Sequence, residues 1–198
     1  MAMQEDEKGG GGISRRGVLA GATFIPVAAL TAAAQAAESA LSQEHRQILD
    51  AFVDRLVPRD ELGPGALDCG AANYIDLSLA DALVNEKGAI AEGLGAVEAF
   101  SRQQHGGPFA GLTPEKRDEV LTAFEAGQVP GFANAPAFFN RVRRLTLEGM
   151  FGDPHYGGNK NFAGWDLIRY PGPRLAVGPE DQRMNVPPRP LHQSVYGR

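Results

Sequence analysis

Between Gly149 and Gly172 the chain reads GMFGDPHYGGNKNFAGWDLIRYPG, and no continuous helix or strand can run through it. Six glycines and two prolines turn the backbone repeatedly, and Pro154 and Pro171 push the residues before them towards extended geometry. Gly157-Gly158 suits positive φ. The same window holds Phe151, Tyr156, Phe162, Trp165 and Tyr170, five of the chain's fifteen aromatic residues, so large rings sit on a backbone that cannot bury them within one element. They need another surface, either the protein's own helices or a partner.

The region before it, from Ser42, reads as helices. Ile48, Phe52 and Leu56 beside Leu49, Val53 and Val57 form one apolar stripe; Ser42 is the expected N-cap and Pro58 the stop. Gly63-Pro64-Gly65 is a turn, and a second helix places Ala71, Ile75, Leu79 and Leu83 on one face. A third, about Lys87 to Gln104, carries Ile90, Leu94 and Val97, with Gly93 and Gly95 each costing it about 1 kcal/mol relative to Ala. Thr113-Pro114-Glu115 combines a hydroxyl cap, proline in the first turn and an acid at the positive dipole end. That helix buries Val120, Leu121 and Phe124 and ends at Gly127. The last, Pro136 to Phe151, points Phe138, Phe139, Val142 and Leu145 inward and Arg141, Arg143 and Arg144 mostly outward. These arginines suit a solvated face, or acidic groups on a partner. No period-two alternation is sustained, so the expectation is a mainly α, compact domain of about five helices, then the irregular aromatic stretch, then an extended tail.

At the other end, residues 1–12 are charged and glycine-rich and read as a disordered leader. Ser14-Arg15-Arg16-Gly17-Val18-Leu19 and an uncharged alanine-rich run follow, ending in Ala34-Gln35-Ala36 before Ala37. A basic pair, an apolar core and small residues at the cleavage point make an export signal over residues 1–36. Ser14, Arg15, Arg16 and Leu19 resemble the twin-arginine type, with Val18 where Phe is usual. An uncleaved anchor is disfavoured by Pro26 and by the weak hydrophobicity of alanine. The twin-arginine route carries folded proteins, which a small chain without a cofactor hardly needs unless something is bound to it.

Loss of residues 1–36 removes three basic and three acidic groups and leaves the formal charge at −5, with no basic stripe for nucleic acid. The single cysteine, Cys69, excludes an internal disulfide and an iron–sulfur cluster, and Cys-x-x-Cys-His is missing, which excludes covalent haem. Cys69 reads as a small buried hydrophobe. A metal held by Asp153 and His155 with His45, His105 or His192 is a weak candidate, because the histidines are scattered. Neither the Gly9–Gly12 run nor Gly157-Gly158 follows a predicted strand, and no nucleophile has a visible base. The tail, residues 173–198, with Pro173, Pro179, Pro187, Pro188 and Pro190, is expected to be extended, either wrapping another surface or passive.

Several pieces of the stretch recur together in a known pattern. Glu148-Gly149-Met150-Phe151, Asp153-Pro154, Tyr156-Gly157-Gly158-Asn159, Ala163-Gly164-Trp165 and Tyr170-Pro171-Gly172 resemble the signature of the gluconate 2-dehydrogenase subunit 3 family. The resemblance runs more loosely back to Ser42 through Val57-Pro58 and Gly63-Pro64-Gly65-Ala66, and the tail after Pro173 lies outside it. It implies a non-catalytic subunit, residues 37–172, with no cofactor of its own. The implied partners are an FAD-containing catalytic subunit of the glucose–methanol–choline type and, indirectly, a haem c-bearing cytochrome subunit, with membrane association only through the complex. The implied interface is Met150, Phe151, Asp153, Pro154, Tyr156, Gly157, Gly158, Asn159, Phe162, Gly164, Trp165, Tyr170, Pro171 and Gly172. The competing class is a free-standing periplasmic binding protein or an unrecognised small enzyme.

Overall fold

A computed structural model describes residues 39–197. The expected leader and signal, with Ser14, Arg15, Arg16, Leu19, Ala34, Ala36 and Ala37, lie outside the described residues.

Six α-helices are present among them: α1 (Gln43–Leu56), α2 (Ala71–Ala80), α3 (Lys87–His105), α4 (Pro114–Glu125), α5 (Ala135–Phe151) and the short α6 (Ala163–Leu167). No strand occurs among the described residues, only isolated bridges at Asp60–Gly63 and Ser194–Gly197. The mainly α expectation holds, and five of the six helices are those read from the apolar stripes.

Local chemistry explains the ends. Ser42 caps α1 by accepting from the His45 N–H at 3.2 Å. Thr113, expected to cap α4 in the same way, does not accept from the helix. The Glu115 carboxyl is held below its usual range, first by its own backbone N–H and then by the Thr113 hydroxyl. Helix α2 ends at Ala80, one turn earlier than the stripe suggested. The Leu83 N–H turns back to the Ser78 carbonyl at 2.7 Å, so Leu83 packs on the core from a turn.

The core is built around Phe52 of α1, fully buried, with its ring 6.5 Å from Phe109 and 5.9 Å from both Phe138 and Phe139. Phe124 of α4 continues the cluster, 6.0 Å from Phe138. Ring pairs at these separations add attraction beyond burial alone. Gly93, a liability by helix propensity, is required by packing: a Cβ there would overlap the Phe138 ring. Bidentate Arg55–Asp118 contacts at 2.8 Å tie α1 to α4. The most extensive helix pair is α2 with α5, and there a Cβ at Gly149 would sit 2.9 Å from the Ala71 Cα. This close crossing fixes the end of α5, where the aromatic stretch begins.

Candidate interaction site

The last turn of a helix leaves its carbonyls without intrahelical partners. At the end of α5 the aromatic stretch supplies them. Helix α5 stops at Gly152, whose N–H reaches the Glu148 carbonyl at 2.8 Å. Asp153 then caps a 3-10 turn, Pro154–Tyr156, by accepting from the His155 N–H at 2.9 Å. Gly157, with φ of 86°, reverses the chain, and Gly158 and Asn159 pass back beneath the helix end.

Asn159 is the clasp of this reversal. It is fully buried and left-handed, a conformation asparagine tolerates. Its N–H donates to the Gly149 carbonyl at 2.6 Å, and its amide nitrogen donates to the Gly152 carbonyl at 2.9 Å. Its amide oxygen accepts from the Gly164 N–H at 2.9 Å and the Trp165 N–H at 3.4 Å, which orients α6. A Cβ on Gly158 would overlap the Gly149 oxygen, and one on Gly164 the Met150 oxygen, so only glycine allows the approach. The Lys160 N–H bonds the Cys69 carbonyl at 2.9 Å, and the Asn73 side chain donates to the Gly157 carbonyl at 2.7 Å, fastening the stretch to α2 as well.

The Asn159→Ala substitution removes a buried donor and acceptor together and strands the Gly152 carbonyl and Gly164 N–H. The expected loss is about 2–3 kcal/mol. Urea unfolding followed by circular dichroism checks this; a loss below about 0.5 kcal/mol would mean the clasp is not holding the stretch.

Trp165, on α6, is 4% exposed. Its indole N–H donates to the Phe151 carbonyl at 2.9 Å, and its ring lies 5.4 Å from Phe162 and 5.0 Å, edge to face, from Tyr170. The residues expected at an interface therefore divide. Met150, Gly158, Asn159, Gly164, Trp165 and Gly172 are buried within the chain and build the stretch from inside. Tyr156 and Tyr170 are exposed, and Phe151, Asp153, Pro154, Gly157, Phe162 and Pro171 are partly exposed. These last two groups form the surface another molecule could touch.

Part of that surface is already covered by the tail. Residues 173–190 run through turns at 179–182 and 184–185, where Arg174 bonds Asp181 at 2.8 Å, and residues 191–197 return to the stretch. The Leu191 N–H donates to the Pro171 carbonyl at 2.9 Å. The His192 ring stacks on Phe162 at 5.1 Å, its Nε2 2.7 Å from Asp166 Oδ1. The Val195 N–H donates to Asp153 at 3.1 Å. Tyr196 stacks on His155 at 4.2 Å and shares a 2.6 Å hydrogen bond with the Tyr156 hydroxyl. Burial alone would raise the Asp153 carboxyl, but the Ser194 hydroxyl and the N–H groups of His155 and Val195 outweigh it and hold it low. The bond from Tyr196 pushes the Tyr156 phenol up. Asn73, Asp166 and Tyr196 were missed in the sequence, and His192 was considered only as a metal ligand; two ring side chains four apart in a proline-rich tail were the available signal.

The other candidates are placed as follows. Cys69 is buried, and desolvation raises its thiol. His45 lies in the first turn of α1 and His105 faces Glu119 at 3.6 Å. No three His, Cys, Asp or Glu side chains converge as a metal site would need, among the described residues. Arg141 pairs with Glu86 at 2.6 and 2.8 Å and Arg144 with Glu148 at 2.9 Å, while Arg143 is exposed. Beside His155 and Tyr156 an open groove of about 840 Å³ runs past Leu77, Ala80, Val84 and Lys87. No described helix is long and apolar enough to cross a membrane.

Residues 43–172 match the family described as Gluconate 2-dehydrogenase subunit 3. No curated protein and no solved structure matches the chain.

Proposed function

Since the chain belongs to the gluconate 2-dehydrogenase subunit 3 family, we propose that it is a non-catalytic subunit of an FAD-dependent sugar or sugar-acid dehydrogenase. In this reading the hydride leaves a sugar alcohol for FAD in a separate catalytic subunit of the glucose–methanol–choline type. Electrons then pass to a haem c subunit at the membrane. This chain stabilises the flavoprotein and carries its twin-arginine export signal to the periplasm. The observation that carries the reading is the extent of the family match, which spans every helix among the described residues and the whole aromatic stretch. A supporting observation is that the stretch uses its buried polar groups on its own fold: Asn159 and the Trp165 indole cap α5. The surface left over consists of rings beside an open groove, which suits contact with another protein.

Two preparations test it. Purified from its host, the chain should bring down a flavoprotein that reduces dye with a sugar or sugar acid. Residues 37–198 expressed alone should show neither flavin nor haem absorbance and no turnover. Absorbance in the isolated chain at one cofactor per chain, or turnover by it, would replace the subunit reading with that of a small enzyme.

A further inference from the structure

The strap at residues 191–197 is held differently from the rest of the domain. Its contacts are ring faces and hydrogen bonds at the surface; His192 and Asp166 each keep 47% of their side chains exposed. The chain leading to it leaves Leu175 and Met184 fully exposed, so no core residue anchors it. What it touches, by contrast, is fixed to α5 and α2 by the Asn159 clasp and the Asn73 bond.

The geometry points to a peptide-docking face that the chain fills with its own tail. We propose that His155, Tyr156, Phe162 and Asp166, with Asp153 and the Pro171 carbonyl, bind an extended segment of the flavoprotein, and that residues 191–197 occupy this face until that segment replaces them. The identity of the partner rests on the subunit reading above; the face itself does not. The strap displays the ligand chemistry. Two backbone N–H groups, from Leu191 and Val195, meet the Pro171 carbonyl and the Asp153 carboxylate. Two rings four residues apart fill the remaining contacts. The first, His192, lies flat on Phe162 and bonds the Asp166 carboxylate; the second, Tyr196, lies on His155 and bonds the Tyr156 hydroxyl. Backbone bonds supply affinity and ring positions supply selectivity, as in other extended-peptide sites. The partner's segment has an advantage that the strap lacks. The groove beside His155 and Tyr156 has no described strap residue in its lining, so a longer segment can bury apolar surface there as well.

The full-length variant His192→Ala/Tyr196→Ala opens the face without touching the core. A fluorescein-labelled peptide of residues 189–197 should bind this variant about tenfold or more tighter than the unaltered chain, and a peptide carrying the same two alanines should not bind. Equal binding to both chains, or none to the variant, overturns the proposal. Circular dichroism checks that the variant is folded. Sedimentation of the unaltered chain should give a monomer; a dimer that exchanges straps would overturn occupation by the chain's own tail. Immobilised variant should also capture more flavoprotein than the unaltered chain, and equal capture would remove the competition. If neither chain captures flavoprotein while the peptide still binds the variant, the subunit reading fails and the peptide site stands.

Discussion

Trp165→Ala is expected to cost the domain about 3–5 kcal/mol, the range for deleting a buried tryptophan side chain. In a chain of this size that lowers the unfolding midpoint by roughly 10 °C. The residues alone left open whether Trp165 meets a partner or covers the helices, and the resemblance placed it at the interface. At 4% exposure, with its indole N–H on the Phe151 carbonyl and its ring between Phe162 and Tyr170, it is part of this domain's own structure. Its removal also orphans one carbonyl of the α5 terminus. Partner affinity should fall in Trp165→Ala because the face above it has lost its support. Trp165→Phe separates the two effects: most of the ring is kept and one hydrogen bond is lost, for about 1–2 kcal/mol. Thermal unfolding of both variants decides the matter. A Trp165→Ala midpoint within about 2 °C of the unaltered chain, together with lost flavoprotein binding, would put Trp165 back at the interface.

Lys at both Arg15 and Arg16 is expected to abolish export of this chain and, if it is the escort proposed above, of the flavoprotein with it. The substitution preserves charge, so a signal recognised only by its basic character would still work. A flavoprotein must fold around FAD where FAD is made, inside the cell, and the twin-arginine signal proposed at Ser14-Arg15-Arg16 would direct the chain to a route that passes folded cargo. The complex must survive passage, which calls for an interface of ordinary stable size, roughly 1,600 Å² in total. Fractionated cells should then hold a folded, dye-active complex in the cytoplasm and almost none in the periplasm. Catalytic subunit that still reaches the periplasm in the Lys-Lys variant would leave only a stabilising role.

The helices were legible because their stripes are local. Ile48, Phe52 and Leu56 announce α1 whatever surrounds them, and the structure buries Ile48 and Phe52 as expected. What was misjudged depended on distant residues. Gly93 counts against a helix until Phe138, forty-five positions on, needs the space. Thr113 fits the cap pattern by residue type, yet its hydroxyl accepts from no helix N–H. In the aromatic stretch the motif pieces were legible but their division of labour was not. Asn159 and Tyr156 look alike as motif members, yet one is buried under the end of α5 and the other faces outward. That distinction is set by carbonyl positions at a helix terminus, which no pattern of residue types encodes. The fold-back of His192 and Tyr196 was hidden for the same reason: its partners, Asp166, Phe162 and Tyr156, become neighbours only after the reversal at Gly157.

The capping of α5 also imposes an order of events. Asn159 cannot find the Gly149 and Gly152 carbonyls, nor Lys160 the Cys69 carbonyl, until α5 has formed and lies across α2. The outward rings therefore take their places only where the long-range contacts of the bundle are made. A half-folded copy has no such face. If the flavoprotein is recruited through this face, as proposed above, recruitment would inspect the recruiter before anything is bound, and defective copies would be left behind without a separate surveillance step.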